Sequence, residues 1–439
     1  MNILSVGGSD PSSGAGIQSD IRAAQALGAH CFCVVTAVTA QNSSRFLGTE
    51  PVSPVMVQMQ IESILSDFAV DATVIGMVYD ARTMLRISKA LRRYDMPIVV
   101  DPVIRSTTGG TLLKKEALLA FKKTLMPIAD VVTPNVAEAE ILSGITIRST
   151  DDLHSAAMSI VADGVPNVII TGCEFEKDKI SDYVFDGTSH VILSSKKIHG
   201  QNHGGGCNYA FAIAYALAQR KGIIEAARFA KSFAFESIRS ALSLGKGVHI
   251  TSPKQDKTVA ELAEAVRKFQ KMNGAWRLIP EVQCNFVYAK SEAEQLQDVA
   301  GILGRIVRSG SNLVVAGPIE YGGSRHVGSA VLAVRTKFSK IRSAINIKYD
   351  ANAIKKFKEA GFTILSYDRR KEPKRIKVKE NSTISWGVLD AIRKSAVAPD
   401  IVYHRGDVGK EPMIIVFGTT PGNVLAKIKI LTTQIRVRA

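Results

Sequence analysis

Residues 7–18 read Gly7-Gly8-Ser9-Asp10-Pro11-Ser12-Ser13-Gly14-Ala15-Gly16-Ile17-Gln18. They follow the apolar run Asn2 to Val6 and open a stretch that carries Ile17, Ile21, Ala24 and Leu27 at helical spacing, so a strand, a loop of small residues and a helix are predicted. Flexible backbone at the carboxyl end of a strand is where open α/β sheets bind ligands. The spacing fits neither the dinucleotide fingerprint nor the Walker pattern. Outward from this segment, β-branched runs at 31–39, 73–75, 98–100, 131–133 and 167–171 alternate with amphipathic helices. That alternation predicts an α/β domain with a largely parallel sheet. A helix over 208–220 places Phe211, Ala214, Tyr215 and Ala218 on one side, and Asp186-Gly187 reads as a hairpin turn.

At 439 residues the chain exceeds what one core usually organises. The periodicity breaks over 245–257, so the expected division is 1–250, a connecting segment with a helix at 251–274, and a second α/β or α+β domain at 275–439. In the second part, 330–334 and 413–417 read as buried strands and 354–360 as a helix closed by Gly361. Residues 1–250 hold 23 basic and 23 acidic side chains, and 251–439 hold 33 against 17, so the whole net charge of +16 lies in the second part. Such a domain attracts anions, among them phosphorylated metabolites. The basic residues lack clustered aromatic partners and no helix-turn-helix is evident, which argues against a nucleic-acid partner. No apolar stretch is long enough for a membrane span, the start lacks the features of a signal peptide, and five cysteines without a CxxC pair fit a reducing compartment. A cytoplasmic enzyme is the expectation. Cys31 and Cys33 alternate along a strand and fall short of a tetrahedral metal set.

Two further motifs carry chemistry in the first part. His203-Gly204-Gly205-Gly206-Cys207 precedes the 208–220 helix, where consecutive glycine amides and the helix N-terminus stabilise a phosphate and would lower a thiol pKa at Cys207. A glycine hinge with a buried cysteine is the alternative. Thr133-Pro134-Asn135-Val136-Ala137-Glu138 follows an apolar strand. Asn135 and Glu138 there suit either Mg²⁺ near nucleotide phosphates or a plain helix cap. In the second part, Gly304-Arg305-Ile306 follows a run read as helical, and Tyr321-Gly322-Gly323-Ser324-Arg325-His326 leads into the apolar stretch at 330–334. Tyr403-His404-Arg405-Gly406-Asp407-Val408-Gly409-Lys410 offers Arg405 and Lys410 to phosphate and Asp407 to a metal, or is a solvated loop.

Together with residues 36–42 (Thr-Ala-Val-Thr-Ala-Gln-Asn), 75–77 (Ile-Gly-Met) and 101–103 (Asp-Pro-Val), the first-part motifs resemble the hydroxymethylpyrimidine/phosphomethylpyrimidine kinases of the ribokinase-like superfamily. The resemblance implies that Gly8, Gln41 and Met77 line a pyrimidine pocket, with Asp101 also on the substrate side. It implies that Asn135, Glu138 and Thr171 serve Mg·ATP with Glu138 as a metal ligand, that Gly204, Gly205 and Gly206 form the anion hole, and that Cys207 is catalytic. ATP is then a substrate. The chain departs from that pattern at Gly205 and Asn208, where threonines are usual, at Thr171, where lysine is usual, and over 104–108, where Arg105 and Thr107 stand near a customary lysine. Residues 279–417, above all Arg342-Ser343-Ala344-Ile345-Asn346-Ile347 and the 405–413 loop, resemble archaeal-type thiamine-phosphate synthase, which implies functional roles for Arg305 and His326 and places Asn346, Arg405 and Lys410 on the substrate side. Hydroxymethylpyrimidine, its phosphates and hydroxyethylthiazole phosphate are the implied ligands, and a homodimer is the expected assembly. The competing expectations are a degenerate kinase half serving as a scaffold and a thiamine-phosphate sensor.

Overall fold

The structure is a computed structural model that describes residues 1–104, 117–373, 383–407 and 409–432. Arg105, Thr107, Thr108 and Val408 therefore lie outside the described residues. The chain forms two compact units, Met1–Gln255 and Asp256–Ala439.

In the first unit β1 (Asn2–Ser9), β2 (His30–Gln41), β3 (Phe46–Pro51), β4 (Ala72–Ile75), β5 (Ile98–Val100), β6 (Val131–Val132), β7 (Asn167–Cys173), β8 (Lys179–Phe185) and β9 (His190–Lys196) make one sheet. Its order is 3-2-1-4-5-6-7-8-9. Strands β2 to β7 are parallel, and β3 at one edge and the β8–β9 hairpin at the other are antiparallel. Alternate residues of the inner strands feed two cores, because a sheet covered on both faces buries both sides of each strand. Leu4, Val6, Ile75, Val100 and Val132 pack with Met84, Phe121 and Leu153 on one face, and Ile3, Val74, Val99, Val131 and Ile169 pack with Phe211 and Ile213 on the other. The result is an αβα sandwich. Its first helix, Gly16–Leu27, buries Ile17, Asp20, Ala23 and Ala24, whereas Ile21 is 45% exposed. The expected face was thus rotated, since the sheet-facing stripe includes polar Asp20. In a short parallel pair, β10 (Asn202–His203) leads into the alanine-rich helix Gly205–Ala218 and pairs with the later β11 (His249–Ile250).

The second unit is built on β12 (Phe286–Ala289), β13 (Val299–Ile302), β14 (Ile306–Ser309), β15 (Asn312–Val315), β16 (Ile319–Tyr321), β17 (Ser343–Lys348), β18 (Ile364–Ser366), β19 (Ile401–His404) and β20 (Met413–Gly418). Seven of these form a sheet in the order 16-13-12-17-20-19-18, antiparallel except for the β18–β19 pair, and β14–β15 is a separate hairpin. Helices cover both faces. Lys257–Gln270, read above as a connecting helix, gives Leu262, Val266 and Phe269 to one core. Residues 330–334, expected as a strand, belong to the helix Arg325–Arg335, which buries Ala330, Val331 and Val334 in the other. A five-residue apolar run satisfies a buried helix as well as a buried strand, and only its tertiary place decides. Likewise Gly304 follows strand β13, not a helix.

Candidate active sites

Strand order reverses between β1 and β4, and open parallel sheets bind ligands beyond the carboxyl ends of the strands at such a point. A cavity of about 220 Å³ lies there. It draws Gly8 from the end of β1, Gln41 from β2, Met77 after β4, Asp101 after β5, Asn135 and Glu138 after β6, Thr171 from β7, and Gly204, Gly205, Gly206 and Cys207 from the start of the Gly205–Ala218 helix. The residues to which the resemblance assigns kinase roles thus line one space. Gly8 is required by that packing, because a Cβ there would come 2.8 Å from Met77 Sδ. Gly204 caps the Gly205–Ala218 helix at φ +98°, leaving the first-turn amides of residues 205–207 without intrahelical acceptors.

Burial sets the charge state of the cavity. Asp20 and Asp101 are pushed up to about 7 and Glu138 to about 8, in each case chiefly by desolvation. Cys207 departs from expectation: burial, then the nearby Asp20 and Asp101, raise its thiol well above the usual range, against a bond from the Gly16 backbone. The helix N-terminus does not outweigh lost hydration and two carboxyls. Glu138 closes a capping box with Asn135, since its Oε2 accepts from the Asn135 amide at 3.0 Å and its own amide donates to Asn135 Oδ1. Oε1 accepts from the Ile104 amide at 3.3 Å.

The departures from the family pattern have structural settings. Asn208 is buried, accepts from Ser19 Oγ at 3.1 Å and donates to Thr251 Oγ1 at 3.0 Å, so it serves the core beneath the loop. At Gly205 a Cβ would meet Asn202 Oδ1 at 2.7 Å, so the Asn202 amide occupies the place of a larger side chain. Thr171 is fixed by its amide to the Pro134 carbonyl. Sequence reasoning missed Asp20, Thr39 and Asn202 as cavity-lining residues, although Asp20 stands one turn after Ile17 on the sheet-facing side.

In the second unit Arg305 is exposed in the turn after β13. Its φ is +83°, and its guanidinium donates to the Val282 carbonyl. His326 is exposed in the first turn of the Arg325–Arg335 helix, which begins against Gly301. Asn346 is buried: its Oδ1 accepts from the Asn285 amide at 2.7 Å and its Nδ2 donates to the Gln283 carbonyl at 2.9 Å. It holds strands together instead of facing outward. Arg405 and Lys410 are exposed on a turn closed by paired backbone bonds between Asp407 and Lys410. Beneath that turn His404 is buried, and burial followed by Arg369 lowers it to about 4. Its Nδ1 accepts from the Gly406 amide at 3.1 Å, as a neutral ring can.

Two family models match the chain: phosphomethylpyrimidine kinase over residues 10–252 and thiamine-phosphate synthase ThiN over 261–430. The bifunctional thiamine biosynthesis protein ThiDN of Methanocaldococcus jannaschii is 30% identical over 438 residues, covering 98% of each chain. The chain belongs to the ThiDN family. The hydroxymethylpyrimidine/phosphomethylpyrimidine kinase of Rhizobium meliloti, 38% identical over 248 residues, covers 56% of this chain and 93% of its own. The pyridoxal kinase from Staphylococcus aureus, solved in complex with AMP-PCP, aligns at TM-score 0.54 and 30% identity over 59% of this chain and 95% of its own. Its likeness is to the kinase unit, and it carries the ribokinase-like assignment of the fold.

For a ThiDN protein a nucleotide-bound Mg²⁺ is implied. Among the described residues no cluster of three or more His, Cys, Asp or Glu side chains could cage a metal, and none of the described helices is long and apolar enough to cross a membrane. Mg²⁺ needs no cage, since it takes one or two carboxylates beside waters and substrate phosphates. Asp101 and Glu138 fit that need, because both line the cavity and burial raises both.

Proposed function

We propose that the first unit uses ATP to phosphorylate hydroxymethylpyrimidine and then its monophosphate, and that the second joins the resulting diphosphate to hydroxyethylthiazole phosphate, giving thiamine phosphate and pyrophosphate. The observation that supports this reading is one cavity lined by Gly8, Gln41 and Met77 together with Gly205, Gly206 and Cys207, whose amides lie in the first turn of a helix. In the transfer, the hydroxymethyl oxygen gives its proton to a base at Cys207 and bonds to the γ-phosphorus as the bond to the bridging oxygen breaks and ADP leaves. Positioning and electrostatics carry most of such a step. The amides of 205–207 meet the charge on the transferring group. Bound Mg²⁺ would neutralise the nucleotide phosphates, held by Asp101 and Glu138. With Asp20 and Asp101 close by, the Cys207 thiol stays protonated in the free protein. Its use as a base requires that their charge be offset.

In the second unit the thiazole nitrogen bonds to the exocyclic carbon of the pyrimidine as the carbon–oxygen bond breaks, and pyrophosphate takes the electron pair. Arg305, Arg405 and Lys410 offset that charge, His326 donates a hydrogen bond or proton, and Asp407 is the carboxylate offered to a metal. A cytoplasmic location, which five free cysteines suit, and assembly as a homodimer complete the reading. The test is to incubate the chain with hydroxymethylpyrimidine, Mg·ATP and thiazole phosphate and to follow thiamine phosphate by its oxidised fluorescent product. Product is expected. If it forms only from supplied pyrimidine diphosphate, the first unit is a scaffold, and if even that yields none, a sensor role replaces catalysis.

A further inference from the structure

His203 ends β10 one residue before the glycine loop and is 3% exposed. Its Nε2 lies 2.9 Å from Oδ2 of Asp10, which is 2% exposed and 193 residues earlier. Burial alone would raise Asp10, but bonds from His203, Ser12 and Ala15 bring it to about 2, so the carboxylate is ionised and Nε2 must donate. The same carboxylate accepts from the amides of Ser12, Gly14 and Ala15 at 2.8, 3.1 and 2.8 Å. It is therefore the organising group of the 10–15 turn. The imidazole fills the space that Gly14 leaves, since a Cβ there would come 2.1 Å from the ring, and a Cβ on Gly204 would come 2.0 Å from the Gly14 carbonyl. On its other side the His203 carbonyl accepts from the Thr251 amide and Oγ1.

One buried bond thus fastens the 7–16 glycine segment to the 204–206 glycine loop. Burying a carboxylate against a polar ring is a poor route to stability, because desolvation consumes most of the electrostatic gain. An apolar pair of equal size would hold the fold as well, yet it could not donate to the carboxylate that orders the turn.

We propose that Asp10 and His203 are a positioning pair that sets the spacing between the wall holding the phosphoryl acceptor and the helix amides that receive the transferring group. The proposal rests on the kinase reading. Misplacement by about 1 Å costs such a step on the order of 10²-fold. The experiment uses the full chain with His203→Ala, His203→Gln, Asp10→Asn and the Asp10→Asn/His203→Gln double variant. Kinase kcat and pyrimidine KM are measured separately, and product formation from supplied diphosphate reports the integrity of the second unit. His203→Ala is expected to lose about 10²-fold in kcat with KM within about threefold. His203→Gln, whose amide reaches the place of Nε2, should recover most of the loss, and the double variant should be no worse than the worse single one. A rise in KM at unchanged kcat, a glutamine variant as poor as alanine, or losses that multiply in the double variant would overturn the pair. Should calorimetry show that His203→Ala no longer binds pyrimidine, the glutamine and asparagine variants decide. A wild type without kinase activity would remove the kinase reading itself, whereas an active wild type with unaffected variants removes only the positioning role.

Discussion

The kinase unit gathers functional side chains from strand ends scattered over 200 residues onto one cavity, whereas the synthase unit carries Arg305, Arg405 and Lys410 on exposed turns, His326 at a helix start and Asn346 buried in a strand of a mostly antiparallel sheet. The difference follows from topology. Parallel strands all point their carboxyl ends the same way, so their following loops share one edge, while antiparallel strands send successive loops to opposite edges. Convergence is therefore a property of the first sheet, and in the second it depends on particular loops such as 305 and 326.

The comparison breaks most decisively at Cys207 and His326. Cys207→Ala should reduce phosphorylation by at least about 10²-fold while leaving synthesis from supplied diphosphate intact. His326→Ala should do the reverse, with loss of thiamine phosphate from either substrate and undiminished consumption of ATP with hydroxymethylpyrimidine. Loss of both activities in either variant would mean that the units do not act separately. Next in size, Gly204→Ala forces a side chain into φ +98° against the Gly14 carbonyl and should destabilise the kinase unit by on the order of 3 kcal/mol. Both tryptophans, Trp276 and Trp386, lie in the second unit. Chemical denaturation of this variant should therefore lower the midpoint read by loss of kinase activity and leave the tryptophan midpoint in place.

The response to pH has opposite signs in the two units. Asp20 titrates near 7 when folded and near 3.8 when unfolded. The folded kinase unit thus binds the extra proton between those values, and its stability falls as pH rises from about 4 to 7. His404 titrates near 4 when folded and near 6.5 when unfolded, so the synthase unit loses stability as pH falls through that range. Asp20→Asn should reduce the first slope, to which Asp101 and Glu138 also contribute, read by kinase inactivation in denaturant, and His404→Gln should reduce the second, read by tryptophan emission. A common slope would contradict the burial assigned to these groups.

The strands of the kinase unit and its glycine loops were legible because both are local: apolar runs of fixed period, and residues that alone permit the turns. Residues 330–334 were misread for the same reason, since a short apolar run carries no period of its own. The lowered thiol expected at Cys207 failed because helix position is visible in sequence and the burial of Asp20 and Asp101 beside it is not. The Asp10–His203 bond was equally hidden, although both residues stand in quoted motifs, because their pairing across 193 positions exists only after the sheet has closed.

Arg305 holds a backbone conformation that suits glycine better than a branched or long side chain. A protein selected for heat resistance alone would discard it, since glycine there would relieve about 1 kcal/mol of strain. Arg305→Gly is therefore a substitution that laboratory evolution for thermal survival should favour and evolution for thiamine prototrophy should eliminate.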